Sequence, residues 1–252
     1  MARVIAIANQ KGGVGKTTTT VNLAACLAEQ KHRVLVVDMD PQGNATQGIG
    51  VDKHACENSI YNVLAEQIPC ADVIVPTPFA NLWVAPSHRD LVGASVELVN
   101  ESQREFRLQH AIEPLLEQYD FIMIDCPPSL CLLTLNALVA SYEVMIPLQC
   151  EYYPLEGLSE LLHTIIVVRE NLNPRLIVSG ILLTMFQHTN LAKDVIHDVR
   201  THLGTSVYET IIPRNVTLGE APSFGTPVIH YDKRSAGALA YLALAEEVTS
   251  RG

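Results

Sequence analysis

Short, nearly continuous apolar runs alternate along the chain with longer stretches in which apolar residues recur at helical spacing. The runs fall at residues 3–8, 33–38, 121–125, 144–148, 176–183 and 207–212 and are rich in Val and Ile. A strand with one wet face alternates apolar and polar residues, so unbroken runs fit parallel strands covered on both faces. Helical spacing predicts helices over 17–30, 130–140, 155–170, 191–203 and 235–248. Such alternation needs right-handed crossovers, which lay helices on both faces of a mostly parallel, twisted sheet, and the expected class is α/β. Residues 49–120 are less regular, with short strands expected over 72–75 and 82–85 and helices over 60–66 and 105–118. No internal repeat, low-complexity tract or Gly/Ser linker divides the chain, so residues 1–252 are read as a single domain.

Composition narrows the function classes. With 48% hydrophobic residues in a chain of 252, there is enough apolar side chain for a large core. Asp and Glu (27) outnumber Lys and Arg (17), and the net charge of -10 excludes a surface that is basic all over while leaving room for a local basic patch. The six cysteines, Cys26, Cys56, Cys70, Cys126, Cys131 and Cys150, form no C-x-x-C pair and read as reduced thiols of a cytoplasmic protein. The apolar run at residues 4–8 is interrupted by Asn9, Gln10 and Lys11 before a signal-peptide core forms, and no later run approaches the ~20 residues of a membrane span.

Directly after the first strand stands Asn9-Gln10-Lys11-Gly12-Gly13-Val14-Gly15-Lys16-Thr17-Thr18, and a predicted helix follows. Glycines let the backbone turn so that successive N–H groups face one anion, and a helix N-terminus adds about half a positive charge at the same point. In this setting Lys16 is the cation for the β- and γ-phosphates of a nucleotide and Thr17 the hydroxyl for Mg²⁺. The pattern G-x-x-x-x-G-K-[ST] fails at its first position, where Gln10 stands, and an additional lysine, Lys11, marks the loop entrance. Asp125 ends an apolar strand; alone it would read as a helix cap, but with the loop present it is expected to hold Mg²⁺ through water. Asp40 lies just past the second strand, at the carboxyl edge where ligands gather in open α/β sheets.

The form K-G-G-x-G-K-[ST], with Val36-Val37-Asp38-Met39-Asp40-Pro41-Gln42-Gly43-Asn44 and Ile124-Asp125-Cys126-Pro127-Pro128-Ser129 following in order, resembles the deviant Walker A ATPases. The run from Gln149 through Glu151, Tyr152, Tyr153 and Pro154 to Leu158, the segment Leu182-Leu183-Thr184-Met185, and Ile212-Pro213-Arg214-Asn215-Val216 extend the resemblance to the ParA/Soj type of chromosome-partitioning ATPase over essentially the whole chain. The resemblance implies a P-loop NTPase fold and Mg²⁺-dependent hydrolysis of ATP. It implies nucleotide contacts from residues 11–18, namely Lys11, Gly12, Gly13, Val14, Gly15, Lys16, Thr17 and Thr18, with Pro213 and Asn215 at the adenine. Thr17, Asp125 and Asp40 surround the metal, Asp40 positions or activates the attacking water, and Asp38 supports loop and metal. It further implies an ATP-dependent sandwich homodimer in which Lys11 reaches across to the opposite phosphates and Gly12 leaves room for close approach. The ATP form then coats nonspecific double-stranded DNA until a ParB-type partner stimulates hydrolysis, which places the protein in the cytoplasm on the nucleoid.

One departure concerns the DNA surface: His188, Thr217 and Thr226 occupy positions that are often basic in relatives, which weakens the counterion-release contribution to binding. Candidate replacements are Lys193 and Arg200 on one predicted helix and Lys233 and Arg234 near the last. Three other readings share the loop, one of which keeps the mechanism and changes the cargo to a plasmid, a chemoreceptor cluster or another large assembly. A MinD-like ATPase acting on a membrane or protein surface is expected to end in a basic amphipathic helix, whereas residues 242–252 carry two adjacent acids and one arginine. A redox or biosynthetic relative needs cluster cysteines, for which only Cys126, Cys131 and Cys150 come into question, or a specific acceptor. With the first strand expected from residue 3, no N-terminal helix-turn-helix extension of the longer plasmid relatives is expected, which favours a chromosomal or cargo-positioning reading.

Overall fold

The computed structural model describes residues 1–150 and 155–251; Glu151, Tyr152, Tyr153 and Pro154 of the run noted above lie outside them. The described strands are β1 (Arg3–Ile7), β2 (Val34–Asp38), β3 (Val75–Pro76), β4 (Leu82–Ala85), β5 (Phe121–Asp125), β6 (Glu143–Gln149), β7 (Ile177–Phe186) and β8 (Val207–Pro213). They form one sheet in the order β3-β4-β2-β5-β1-β6-β7-β8. Every pairing is parallel except that of β3 with β4.

The helices are α1 (Lys16–Glu29), α2 (Asn44–Gly48), α3 (Leu91–Glu97), α4 (Arg107–Ile112), α5 (Leu132–Ala140), α6 (Leu155–Asn171), α7 (Asn190–Leu203), α8 (Val216–Glu220), α9 (Val228–Tyr231) and α10 (Ala236–Ser250). They cover both faces of the sheet, and β1 shows why its sequence is apolar throughout. Val4 and Ala6 pack into a cluster with Ala137 and Leu138 of α5 and Leu161 of α6, while Ile5 and Ile7 pack on the opposite side with Leu23 and Leu27 of α1 and Leu244 of α10. Both sets are fully buried, so neither position of the strand's two-residue period faces water.

The strand order places the site. From β1 the chain crosses to β2 on one side, and from β5 it crosses to β6 on the other, so the order reverses at β1 and a crevice opens at the carboxyl ends of the strands. Asp38 and Asp125, the last residues of β2 and β5, are register partners there, and Ile7 pairs with Asp125.

The irregular region differs from expectation in three places. Residues 72–75 are not a strand: a 3-10 turn covers Cys70–Asp72, and β3 begins only at Val75. Pro76 lacks the N–H that an interior strand must donate, which confines this piece to the sheet edge. The helix expected over 105–118 is broken into a 3-10 turn (Arg104–Phe106), α4 and a second 3-10 turn (Glu113–Leu115), because Pro114 cannot donate to the carbonyl a turn earlier. Over 60–66 the chain winds as a π-helix from Asn62 to Glu66 and stops at Gln67, which is left-handed at φ 58°.

Candidate functional site

The glycine-rich loop joins β1 to α1 and is fixed from outside by side chains. Asn9 donates through Nδ2 to the Pro147 carbonyl (2.7 Å), and its Oδ1 accepts the Lys11 N–H (2.9 Å). The Thr184 hydroxyl donates to the Val14 carbonyl at 2.9 Å. Gly13 (φ 75°) and Gly15 (φ 91°) are left-handed, a conformation that a Cβ makes costly, so their glycine character is required by the turn.

The two lysines have different surroundings. Lys16 is 6% exposed and its Nζ donates to the Lys11 carbonyl (3.1 Å), whereas Lys11 lies at the surface with Gly12 and Gly13. Burial pulls the Lys16 ammonium below its ordinary range, while the carboxylates of Asp125 and Asp40 act in the opposite direction. A Cβ built on Gly12 meets nothing within 4 Å, so within one protomer nothing demands glycine at this position.

Two threonines of α1 grip Asp125: Thr17 Oγ1 donates to Oδ2 (2.8 Å) and Thr20 Oγ1 to Oδ1 (2.9 Å). Asp125 caps no helix, since α5 begins only at Leu132 with Cys131 at its N-cap. Asp38 accepts the Thr46 N–H (2.8 Å) and hydroxyl (2.7 Å) on Oδ2 and the Asp40 N–H (3.2 Å) on Oδ1. Asp40 in turn accepts the Gln42 N–H on Oδ1 (2.9 Å), and Gly43 continues the turn at φ 62°. Asp38 thus supports the Asp40 loop.

Asp38 and Asp125 are fully buried, and Asp40 is 9% exposed. Desolvation pushes both buried carboxyls above the ordinary range, and a neighbouring acid adds to the effect, Asp40 for Asp38 and Asp38 for Asp125. Crowded acids beside hydroxyls form a hard-oxygen donor set that gains from a divalent cation, so the residues present fit Mg²⁺.

Pro213 and Asn215 come together with Gly15, Thr18 and Met185 around a cavity of about 260 Å³. Asn215 Oδ1 is buried with no hydrogen-bond partner. A second cavity, of about 370 Å³, is lined by Thr17 and Thr18 together with Asn44 and Gln47.

The cation candidates lie elsewhere. Lys193, Lys233 and Arg234 are exposed. Arg200 is engaged with Glu209, its Nη2 lying 3.2 Å from Oε2 and 3.1 Å from the carbonyl. His188 is exposed, with its ring edge-on to Phe186 at 4.9 Å, and Thr217 and Thr226 are half-buried. All six cysteines are free, and Cys126 and Cys150 are buried. No helix among the described residues is long and apolar enough to cross a membrane. In α10, Tyr241, Leu244, Ala245 and Val248 are buried against the core.

Sequence reasoning missed Thr20, Thr46 and Thr184, each of which places a hydroxyl on a loop or carboxylate. For Thr20 a signal existed: Thr17 to Thr20 are four consecutive hydroxyls opening an otherwise apolar helix. Thr46 carries no local signal, since its contact with Asp38 depends on the chain returning through α2; Thr184 lies in the segment 182–185 matched above, but its role does not show there because its partner Val14 lies 170 positions away.

A family model described as an AAA domain matches residues 2–178. The chromosome partitioning protein ParA of Myxococcus xanthus (strain DK1622) is 54% identical over 252 residues, covering all of this chain and 89% of that protein. The chain belongs to the ParA/Soj family of P-loop ATPases. The sporulation initiation inhibitor protein Soj of Bacillus subtilis (strain 168) is likewise 54% identical, over 253 residues and the full length of both chains. Among solved structures, cobyrinic acid a,c-diamide synthase from Mycobacterium smegmatis with bound ADP and magnesium superposes with a TM-score of 0.87 at 37% identity, covering 99% of this chain and 94% of that one. As a ParA/Soj-family enzyme the chain is an ATPase that uses ATP and magnesium.

Proposed function

We propose that this ATPase is a dimerising switch that partitions DNA: its ATP form pairs two copies and binds nonspecific duplex DNA, and a ParB-type partner triggers hydrolysis and release. The observation that carries this reading is the division of labour between the two lysines. Lys16 is buried within its own loop, while Lys11 and Gly12 lie on the surface with open space beside Gly12. A second protomer brought against that surface would receive Lys11 at its phosphates, and a glycine permits the closest approach.

The chemistry follows from the residues around the loop. The N–H groups of residues 12–17 and the start of α1 bind the phosphates, with Lys16 as the internal cation. Thr17 and, through water, Asp125 hold magnesium beside Asp40; when bound, the metal neutralises charge on the β- and γ-phosphates. Asp40, fixed by Gln42 and by the Asp38 brace, orients the water for in-line attack. Pro213 and Asn215 border the adenine. Lys193, Lys233 and Arg234 supply the DNA-facing charge, with Arg200 diverted to Glu209, and a protein working this way resides in the cytoplasm on the nucleoid. In α10, Tyr241, Leu244, Ala245 and Val248 are packed on the core and so are not available to a lipid surface.

The test is duplex binding by Asp40→Ala, which should bind ATP, pair and stall before hydrolysis. Binding to nonspecific DNA with ATP but not ADP, falling steeply across a salt series, is expected. ATP-dependent pairing without DNA binding at low salt would instead indicate a switch that reads another surface.

A further inference from the structure

The phosphate loop is also held by a residue to which the nucleotide reading assigns no role. Gln149 is the last residue of β6, the strand beside β1, and its Nε2 donates to the Gly13 carbonyl at 3.0 Å and lies 2.9 Å from Met185 Sδ. A primary amide has two N–H groups, and only its nitrogen end can face a carbonyl; the reversed amide would set Oε1 against the Gly13 oxygen. The amide nitrogen therefore faces the Gly13 carbonyl, with the Met185 sulfur beside it.

An anion-binding turn works when successive N–H groups point inward, which drives the intervening carbonyls outward. Outward carbonyls are then free to accept from side chains or from water. The Val14 carbonyl has the Thr184 hydroxyl, and the Gly13 carbonyl has Gln149. Met185, the second neighbour of the amide, is a non-glycine residue at φ 54° and lines the cavity that contains Pro213 and Asn215. One side chain thus ties the turn around the phosphates to the wall of the base cavity.

We propose that Gln149 is a positioning residue for nucleotide binding, acting through Gly13: it keeps the Gly13 peptide turned outward, so that the following N–H groups stay aimed at the phosphates. This rests on the reading of residues 11–18 as the phosphate loop and adds a residue from another strand to it. Gln149→Met preserves length and volume while removing the donor without a change of charge, and Gln149→Glu sets a carboxylate against the carbonyl.

Titration calorimetry with Mg-ATP and Mg-ADP should show affinity for both weakened about fivefold to tenfold in Gln149→Met, as expected for one lost hydrogen bond, and more than about tenfold in Gln149→Glu. In steady-state hydrolysis KM should rise by the same factor with kcat within about twofold, and the nucleotide-free melting temperature should stay within about 2 °C. A purely structural role would lower that melting temperature and leave KM unmoved. If Gln149→Glu fails to fold, Gln149→Met carries the test. Unchanged affinity in Gln149→Met while the wild type binds both nucleotides overturns the role of Gln149; a wild type that binds neither overturns the phosphate-loop reading and this proposal with it.

Discussion

Asp125 illustrates how one residue sets a compromise between stability and activity. Its carboxyl is fully buried at the end of β5, and burial, reinforced by the Asp38 charge, raises its pKa against the opposing hydrogen bonds of Thr17 and Thr20. An acid whose folded pKa lies above its unfolded value contributes stability that is complete below about pH 4 and is lost as pH rises through the folded value. Asp125→Asn removes the ionisation, and its amide can still accept from one threonine and donate to the other. The nucleotide-free variant should therefore exceed the wild type by about 1–3 kcal/mol at pH 8, with the gap closing toward pH 4, while magnesium-dependent ATP binding falls. Thermal melts at the two pH values check this; equal gaps at both would show that the charge carries no such cost. The residue types of this site were legible in the sequence, because Lys16, Thr17 and Asp125 lie in contiguous motifs. The hydroxyl of Thr46 on Asp38 was not, since it depends on the chain returning through α2.

Among the elements, β7 shows what a strand's pattern omits. Its pairing with β6 slips by one residue between Val178 and Gly180, leaving Ser179 as the extra residue and bringing Gly180 opposite Met145. Gly180 then lies under the Tyr208 ring, where a Cβ would come within 2.5 Å of Cε2, and Tyr208 is 1% exposed with Arg251 stacked over it at 4.3 Å. The ring has nowhere to retreat. Gly180→Ala should cost about 1–3 kcal/mol, read as a drop of several degrees in melting temperature, whereas Gly219→Ala, whose Cβ enters open space, should be near neutral. A Gly180→Ala protein as stable as the wild type would show that β8 can shift. The principal strands and helices lie within a few residues of their expected positions because their apolar periods are long and regular. The errors concentrate in residues 60–118, where Pro76 and Pro114 decide between strand, helix and 3-10 turn within a few positions.

At the scale of the whole molecule, the face carrying Lys11 and Gly12 is where the proposed dimer forms. Gly12 has negative or extended backbone geometry and room for a side chain in the protomer, so Gly12→Val should fold and bind ATP with little change. Its branched side chain would nonetheless stand between two closely apposed protomers. Light scattering should find the variant monomeric with ATP under conditions in which the wild type is dimeric, and an ATP-dependent dimer of Gly12→Val would place the interface elsewhere. The sequence by itself determined the α/β class, the strand–loop–helix that faces an anion and the family, because each is written in contiguous residues whose spacing has few physical solutions. Only the tertiary structure decided that Asp38 and Asp125 meet as register partners, that Gln149 and Thr184 hold the outward carbonyls of the loop, and that Arg200 is occupied by Glu209. Those contacts join residues far apart along the chain, and strand order, register and crossover, which no local period encodes, bring them together.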